Sequence, residues 1–485
     1  MTNSTKNKAM RHTMTHNCPS HSRGSVRPSI GLFVIPVLMT LLVTLPGGAQ
    51  TAAGPTPAPL SLEEAVRIAL KNNPTIQEAD AYADAARHGI AIAKAGYLPH
   101  VSFSEGFTRG NNPVYVFGSL LTQRQFTAAN FALPFLNVPP PLDNFQTAFT
   151  ATAPLYDFGR TSRRVTDARL GASSTREASH RTRQEVMFEV INAYLNGLLA
   201  REHVQVAQAA VKMTQADLAR AHARQEQGLA VPSDVLSAQA QLAQAQEDLI
   251  RAKNAVEIAQ ASLNVAMGLP EDTSTQITGK LAEPKFGTQN LSTLQEEALK
   301  IRPDYLQALL GVQKAQNGVK SAHGEFLPRI DLLGSWETDN QTFATRGGNN
   351  WIAGATLTFN IFNGGARRAA VAESLAGERQ AEAMRSHMES IVRLQVREAY
   401  LNLNAAHERV EVSRDAAKQA QESLRILRNR YEAGLVTIMD VLRAETMRTS
   451  AENNHLNALY DYRISYAALE LATGELAPDS PAVTQ

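Results

Sequence analysis

The sequence predicts a mixed, mostly α-helical chain made of two copies of one unit, in the order helix, strand, strand, very long helix, tip, helix. Three observations predict it. Landmarks recur at a fixed distance: Arg224 to Ala238 (RQEQGLAVPSDVLSA) is answered 206 residues later by the stretch that runs from Arg428 to Glu445, with Gly228 matching Gly434 and Asp234 matching Asp440. Two stretches of 69 residues, Gly159 to Gln227 and Gly365 to Ala433, contain no proline. Four shorter stretches alternate apolar and polar side chains with the period of a strand.

Each element follows from its residues. Residues 1–49 read as a signal peptide. Lys6, Lys8, Arg11, Arg23 and Arg27 precede an apolar run from Ile30 to Leu45, and Pro46-Gly47-Gly48-Ala49 supplies a cleavage region. That run of 16 residues falls short of the ~20 a spanning helix needs. Cys18, the sole cysteine, lies upstream of it, so the processed chain has no disulfide framework. Residues 50–59 form a Pro-rich spacer. The first repeat covers 60–268, opening with Ser61 as a helix cap and Glu64 three residues on. A matching start at Leu291-Ser292 begins the second repeat, 291–474, and 269–290 between them reads as an irregular belt. Early landmarks (Asn72-Asn73-Pro74 with Ile301-Arg302-Pro303, Tyr97-Leu98-Pro99 with Phe326-Leu327-Pro328) are offset by 229, later ones by 206. The first repeat therefore holds 23 extra residues between Pro99 and Leu155. Residues 475–485, polar and Pro-containing, read as a mobile tail.

Strands are expected at about 97–108, 145–156, 326–338 and 351–362. Val101, Phe103 and Phe107, then Phe145 and Phe149, then Leu332 and Trp336, then Trp351 and Leu357 share apolar sides, against Ser, Thr, Gln and Asn on the other. Ten-residue strands with one apolar and one polar side are the signature of a transmembrane barrel with a wet lumen. The long helices, about 160–227 and 365–433, would each span about 100 Å at 1.5 Å per residue. After the first tip, Val235, Leu242, Leu249, Val256 and Leu263 recur every seven residues, each followed three places on by alanine, from Ala238 to Ala266. A seven-residue repeat with a small column implies coiled-coil packing at close approach. The tips, 228–232 and 434–438, are built by Gly228 and Gly434 as helix stops, with Pro232 starting the next helix.

Four strands cannot close a barrel, and lipid does not tolerate an open sheet edge. Two chains would give eight strands and a filled interior. Three give twelve and an aqueous bore, continued by a coiled-coil barrel of helices. Lys+Arg total 47 against Asp+Glu 46, with no basic stripe, which gives no reason to invoke nucleic acid. The histidines at 203, 222, 387, 407 and 455 have no partner at metal-binding spacing and are expected on solvated faces. His16, Cys18 and His21 fall in the leader, and Gly364-Gly365 lacks the frame of a phosphate loop. No catalytic residue, metal or cofactor is expected. The rival to a channel is a periplasmic coiled-coil adaptor or structural protein, which would share the long helices and lack four outward-apolar strands.

The duplicated order, the Tyr-Leu-Pro and Phe-Leu-Pro strand starts, Leu155-Tyr156-Asp157-Phe158-Gly159, and Tyr431-Glu432-Ala433-Gly434 with Asp440-Val441-Leu442 resemble the TolC family of outer membrane efflux proteins over residues 60 to 474. The resemblance implies a homotrimeric channel in the outer membrane with its helices in the periplasm. It would dock to a periplasmic adaptor (membrane fusion protein) and an inner-membrane transporter, serving efflux or type I secretion. It also implies that the tips form the periplasmic mouth. Asp440 matches an acid of the constriction, and Arg443 stands where a second acid can occur. Tyr431 and Asp234 match a pair that bonds between the hairpins when closed, and Val436 replaces a basic residue that assists the lock. For Leu435, Val441 and Leu442, building the turn is sufficient reason. Trp336 and Trp351 flank the loop Glu337 to Asn350 at the expected lipid boundary. The longer loop, Arg109 to Asn144, is expected outside the cell.

Overall fold

A computed structural model describes residues 59–283, 290–345 and 347–484. The expected signal peptide and nearly all of the spacer lie outside the described residues. In chain order the elements are β1 (Pro59–Leu60), α1 (Leu62–Asn72), α2 (Pro74–Ala95), β2 (His100–Gly110), α3 (Pro113–Thr122), a 3-10 turn (Ala128–Phe131), α4 (Leu133–Asn137), β3 (Leu142–Tyr156), α5 (Arg160–Glu226) and α6 (Pro232–Ala266). They continue with β4 (Gln276–Ile277), α7 (Leu291–Ile301), α8 (Pro303–Gly324), β5 (Arg329–Asn340), β6 (Gly348–Thr358), α9 (Ala366–Glu432), α10 (Ile438–Thr473) and α11 (Pro481–Thr484).

The two 67-residue helices, α5 and α9, are the frame. On α9 the buried residues Val392, Val396, Ala399, Leu403, Ala406 and Val410 step by four and three, the seam of a coiled coil. On α6, Val235, Ala238, Ala245, Ala259, Leu263 and Ala266 are buried, so the alanine column lies in the seam with α5. A continuous apolar core forms midway along the frame, where α5 (Val186 to Leu198), α9, α10, α1 and α7 converge. Tyr194 crosses this core, and its hydroxyl reaches the carbonyls of Leu60 and Thr278, tying α5 to the β1–β4 ribbon.

The duplication extends to single hydrogen bonds. Asn73 donates through Nδ2 to the Ala266 carbonyl (2.9 Å), and its counterpart Arg302 donates through Nη1 to the Ala472 carbonyl (2.9 Å), again 206 residues on. Arg302 is 1% exposed and held in a fork by Asp304. A buried guanidinium is tolerable because its charge and its donors are matched.

The four long strands form one antiparallel sheet in the order β2-β3-β5-β6. Among the described residues β2 and β6 have no further strand on their outer edges. β2 and β5 start at His100 and Arg329, later than the sequence suggests, because Tyr97 and Leu98 donate back to the Lys94 and Ala95 carbonyls and Phe326 and Leu327 close α8 in the same way. β6 ends at Thr358, so Phe359 to Phe362 lie beyond the ladder. The segment expected as a loop between β2 and β3 is partly helical, since Asn112 caps α3 through the amides of Val114 and Tyr115 and Pro113 sits at the first helical position.

The chain's end is a correction to the expected mobile tail. Leu476, Ala482 and Val483 are buried in the central core, and α11 contacts α1. The physical reason is Glu470, a buried carboxylate that accepts from the Ser480 hydroxyl (2.6 Å) and the Ala482 amide (3.2 Å). Without the tail those bonds would be lost in an apolar setting.

Candidate functional site

Two places carry the sequence-predicted residues: the helical tips and the sheet. At the first tip, Gly228 has φ +76°, its amide donates to the Gln225 carbonyl, and the Leu229 amide donates to the Arg224 carbonyl. At the second, Gly434 has φ +75° with the same pair of bonds, to Tyr431 and Arg430. This is the Schellman closure, and its left-handed residue is cheapest as glycine. Pro232 and Ile438 then start α6 and α10.

Asp234 and Asp440 stand at the third position of these helices and cap them. Asp440 Oδ2 accepts from the Thr437 amide (2.9 Å) and hydroxyl (2.7 Å), and Asp234 Oδ2 from the Val231 amide (3.4 Å). The Thr437 hydroxyl first, then its amide, holds the Asp440 carboxyl below the usual carboxylate range. Asp440 is half-buried and Arg443 exposed, both in the first two turns of α10 next to the tip.

Tyr431 and Asp234 are not brought into a hydrogen bond, contrary to the pairing the resemblance implies. Asp234 is turned to its own helix start, and the buried Tyr431 hydroxyl has no partner among the described residues. Tyr431 is instead held by Arg224 of the first hairpin. The guanidinium carbon lies 4.8 Å from the ring centroid, and Nη1 donates to the Tyr431 carbonyl at 3.0 Å. Burial pushes the Tyr431 hydroxyl pKa up, so it stays neutral.

A second link, which the sequence did not disclose, lies deeper. Asp217 on α5 and Glu445 on α10 are both buried, and Arg428 on α9 donates to each. Arg220 donates to the other Asp217 oxygen at 2.5 Å. Burial first, and then the neighbouring Asp217, pushes the Glu445 carboxyl up to about 8, against the pull of Arg428. Three helices from both hairpins are thus joined by two acids and one shared guanidinium. The sequence signal was a broken repeat: the counterparts of Asp217, Arg428 and Glu445 are Ser423, His222 and Gln239, so none of the three charges recurs.

Nor do all histidines lie on solvated faces. His203 bonds Asn453 at 3.0 Å and His455 bonds Ser413 at 3.1 Å, each bridging α10 to a long helix. Among the described residues no group of three His, Cys, Asp or Glu is placed to hold a metal.

In the sheet, Trp336 and Trp351 are directly opposed across β5 and β6. Together with Phe103 and Phe149 they make one row across all four strands, with centroids 5.1 Å apart for Phe103–Phe149 and 5.9 Å for Phe149–Trp336. Val101, Phe103, Phe149, Leu332, Trp336, Trp351 and Leu357 are all exposed on this side. The next row toward the loops is polar: Glu105, Thr147, Thr338 and Asn349, with the Thr147 hydroxyl donating to Glu105 at 2.6 Å. Beyond it Phe107 and Phe145 stack at 4.7 Å on the same side, so the polar row lies between two aromatic rows, as at the lipid boundary of a barrel. The other side is mainly Ser, Thr, Gln and Asn, interrupted by Leu333 and Ile352. Among the described residues no helix is long and apolar enough to cross a membrane.

Residues 65–269 and 294–475 match the outer membrane efflux protein family. The chain is similar to Protein CyaE of Bordetella pertussis, 26% identical over 88% of each chain. It is also similar to the alkaline protease secretion protein AprF of Pseudomonas aeruginosa, 26% identical over 86% of this chain and 85% of that one. Its fold matches the solved CmeC outer membrane channel of Campylobacter jejuni with a TM-score of 0.72, at 18% identity and 87% coverage of both chains.

Proposed function

The chain belongs to the outer membrane efflux protein family, and from that membership we propose that three copies join their four-stranded sheets edge to edge into one closed barrel, continued in the periplasm by a tube of the long helices. The protein is an outer membrane export channel with a periplasmic helical part. It acts as a passive duct, fed by an inner-membrane transporter through a periplasmic adaptor, in efflux or type I secretion. We propose no catalytic step and no cofactor.

The observation that carries this reading is the sheet. It offers an exposed apolar side with aromatic rows toward its loop end, and two edges, β2 and β6, whose backbone groups need partners in lipid. Self-assembly supplies both, and three copies leave room for a bore where two would not. A coiled-coil adaptor has no use for such a sheet.

Two experiments test the reading. Chemical cross-linking and mass measurement of detergent-extracted protein from the outer membrane fraction should give a trimer, and a stable folded monomer would overturn it. At the mouth, Asp440 contributes a ring of carboxylates and Arg443 offsets part of its charge. Side-chain charge at a narrow point sets ion preference. In planar bilayers Asp440→Asn should lose cation selectivity and Arg443→Ala should gain it. Selectivity unchanged in both would remove these residues from the constriction.

A further inference from the structure

The segment between β2 and β3 departs most from the duplicated plan, and its extra length folds into α3, a 3-10 turn and α4. Helix α3 has two apolar sides. Val116, Ser119, Leu120 and Gln123 fall on one side and are buried, whereas Val114, Gly118 and Leu121 fall on the opposite side, with Val114 81% exposed. The buried side is seated on the polar face of the sheet at its loop end. Gln123 Nε2 donates to the Asp143 carbonyl (2.9 Å) and to Asn144 Oδ1 (2.8 Å), and Asn144 Nδ2 donates to Asp339 Oδ1 (2.7 Å). From β6, Asn350 Nδ2 donates to the Thr122 carbonyl at 3.2 Å, while Arg124 donates to the Asn349 carbonyl. Asn144, Asp339 and Asn350 alternate with the residues of the aromatic side, so they point to the polar side. Gly348 makes the close seat possible, since a Cβ there would lie 1.8 Å from the Thr122 carbonyl oxygen.

We propose that α3 forms an apolar constriction at the outer end of the bore, with Val114 and Leu121 facing the axis, as a gate separate from the helical tips. This rests on the closed-barrel reading, in which the polar side of the sheet lines the lumen. A helix fastened to that side stands inside the rim, and its free apolar side can face little but the opening. Apolar constrictions resist ion passage by excluding water. The extra segment of the first repeat thereby sets what passes at the outer end, while the tips act at the periplasmic end.

The test uses single channels in planar bilayers in a Cys18→Ser background, which leaves no thiol. Val114→Cys should lose conductance by roughly twofold or more when a bulky, charged thiol reagent is added on the loop side. Leu357→Cys, on the lipid side, should not respond. Independently, Val114→Asp with Leu121→Asp should wet the constriction and raise conductance, with recovery of the assembled protein from the outer membrane confirming folding. A conducting parent whose current is unchanged by both manoeuvres overturns the outer gate and leaves the channel reading standing. A parent that never conducts overturns the channel reading first.

Discussion

Tyr431 holds the hairpins together through its ring and carbonyl, and its hydroxyl is idle. Tyr431→Phe should therefore leave single-channel conductance unchanged. Arg224→Ala removes a cation–π contact worth about 0.5–2 kcal/mol along with a hydrogen bond, and should raise open probability. Equal effects of the two substitutions would contradict this division of labour. Glu445 gives a pH dependence. Its pKa is raised from 4.5 to about 8 in this packing of the helices, so the protonated form favours that packing. The stabilisation is complete below about pH 4.5 and is lost progressively as pH rises to about 8. Protection factors at the tips, corrected for the intrinsic rise of amide exchange with pH, should fall over that window, and Glu445→Gln should flatten the profile. Gly228 and Gly434 were legible in sequence because a left-handed stop is a local demand that names its residue. The Asp217, Arg428 and Glu445 cluster was not. Which of many helix charges meet depends on how three helices are rotated about their axes, and nothing local to any of them reports it.

Helix α6 and its counterpart α10 show the opposite case, since their burial follows a seven-residue period that can be read directly. Ala238, Ala245, Ala259 and Ala266 are buried against α5, where backbones approach closely. Ala245→Leu should overpack that seam at a cost of about 1–3 kcal/mol, seen as a lower thermal midpoint, whereas the same change at exposed Ala255 should be nearly neutral. A large loss at both positions, or at neither, would mean that the seam does not bear load. Strands were legible as alternation, but their limits were not, because Tyr97, Leu98, Phe326 and Leu327 finish a helical turn before the sheet begins. The helices between β2 and β3 were missed for a different reason. A ten-residue helix such as α3 contains less than three full turns of periodic signal, and its stability comes from the sheet beneath it. The tail at 475–484 was misjudged because polar composition says nothing about a buried acceptor such as Glu470 awaiting it.

Taken as one molecule, the duplication explains why so much of the architecture could be inferred from a single chain. Each landmark was seen twice, so a coincidence in one copy would have failed in the other. Asn73 and Arg302, chemically unlike, donate to equivalent carbonyls, which shows that the position is set by the backbone joint and not by the side chain. The same duplication leaves the sheet with two unlike margins, β2 from the first copy and β6 from the second. In the proposed ring of three each β2 would meet the β6 of a neighbour, so one subunit's fault would be inherited by the whole assembly. A variant that folds and inserts but cannot mate at β6 should then be genetically dominant. Co-expressed in equal dose with the parent, it would leave only about one assembly in eight free of a defective member, and export would fall much further than half. A simple halving of export would mean that the margins do not join.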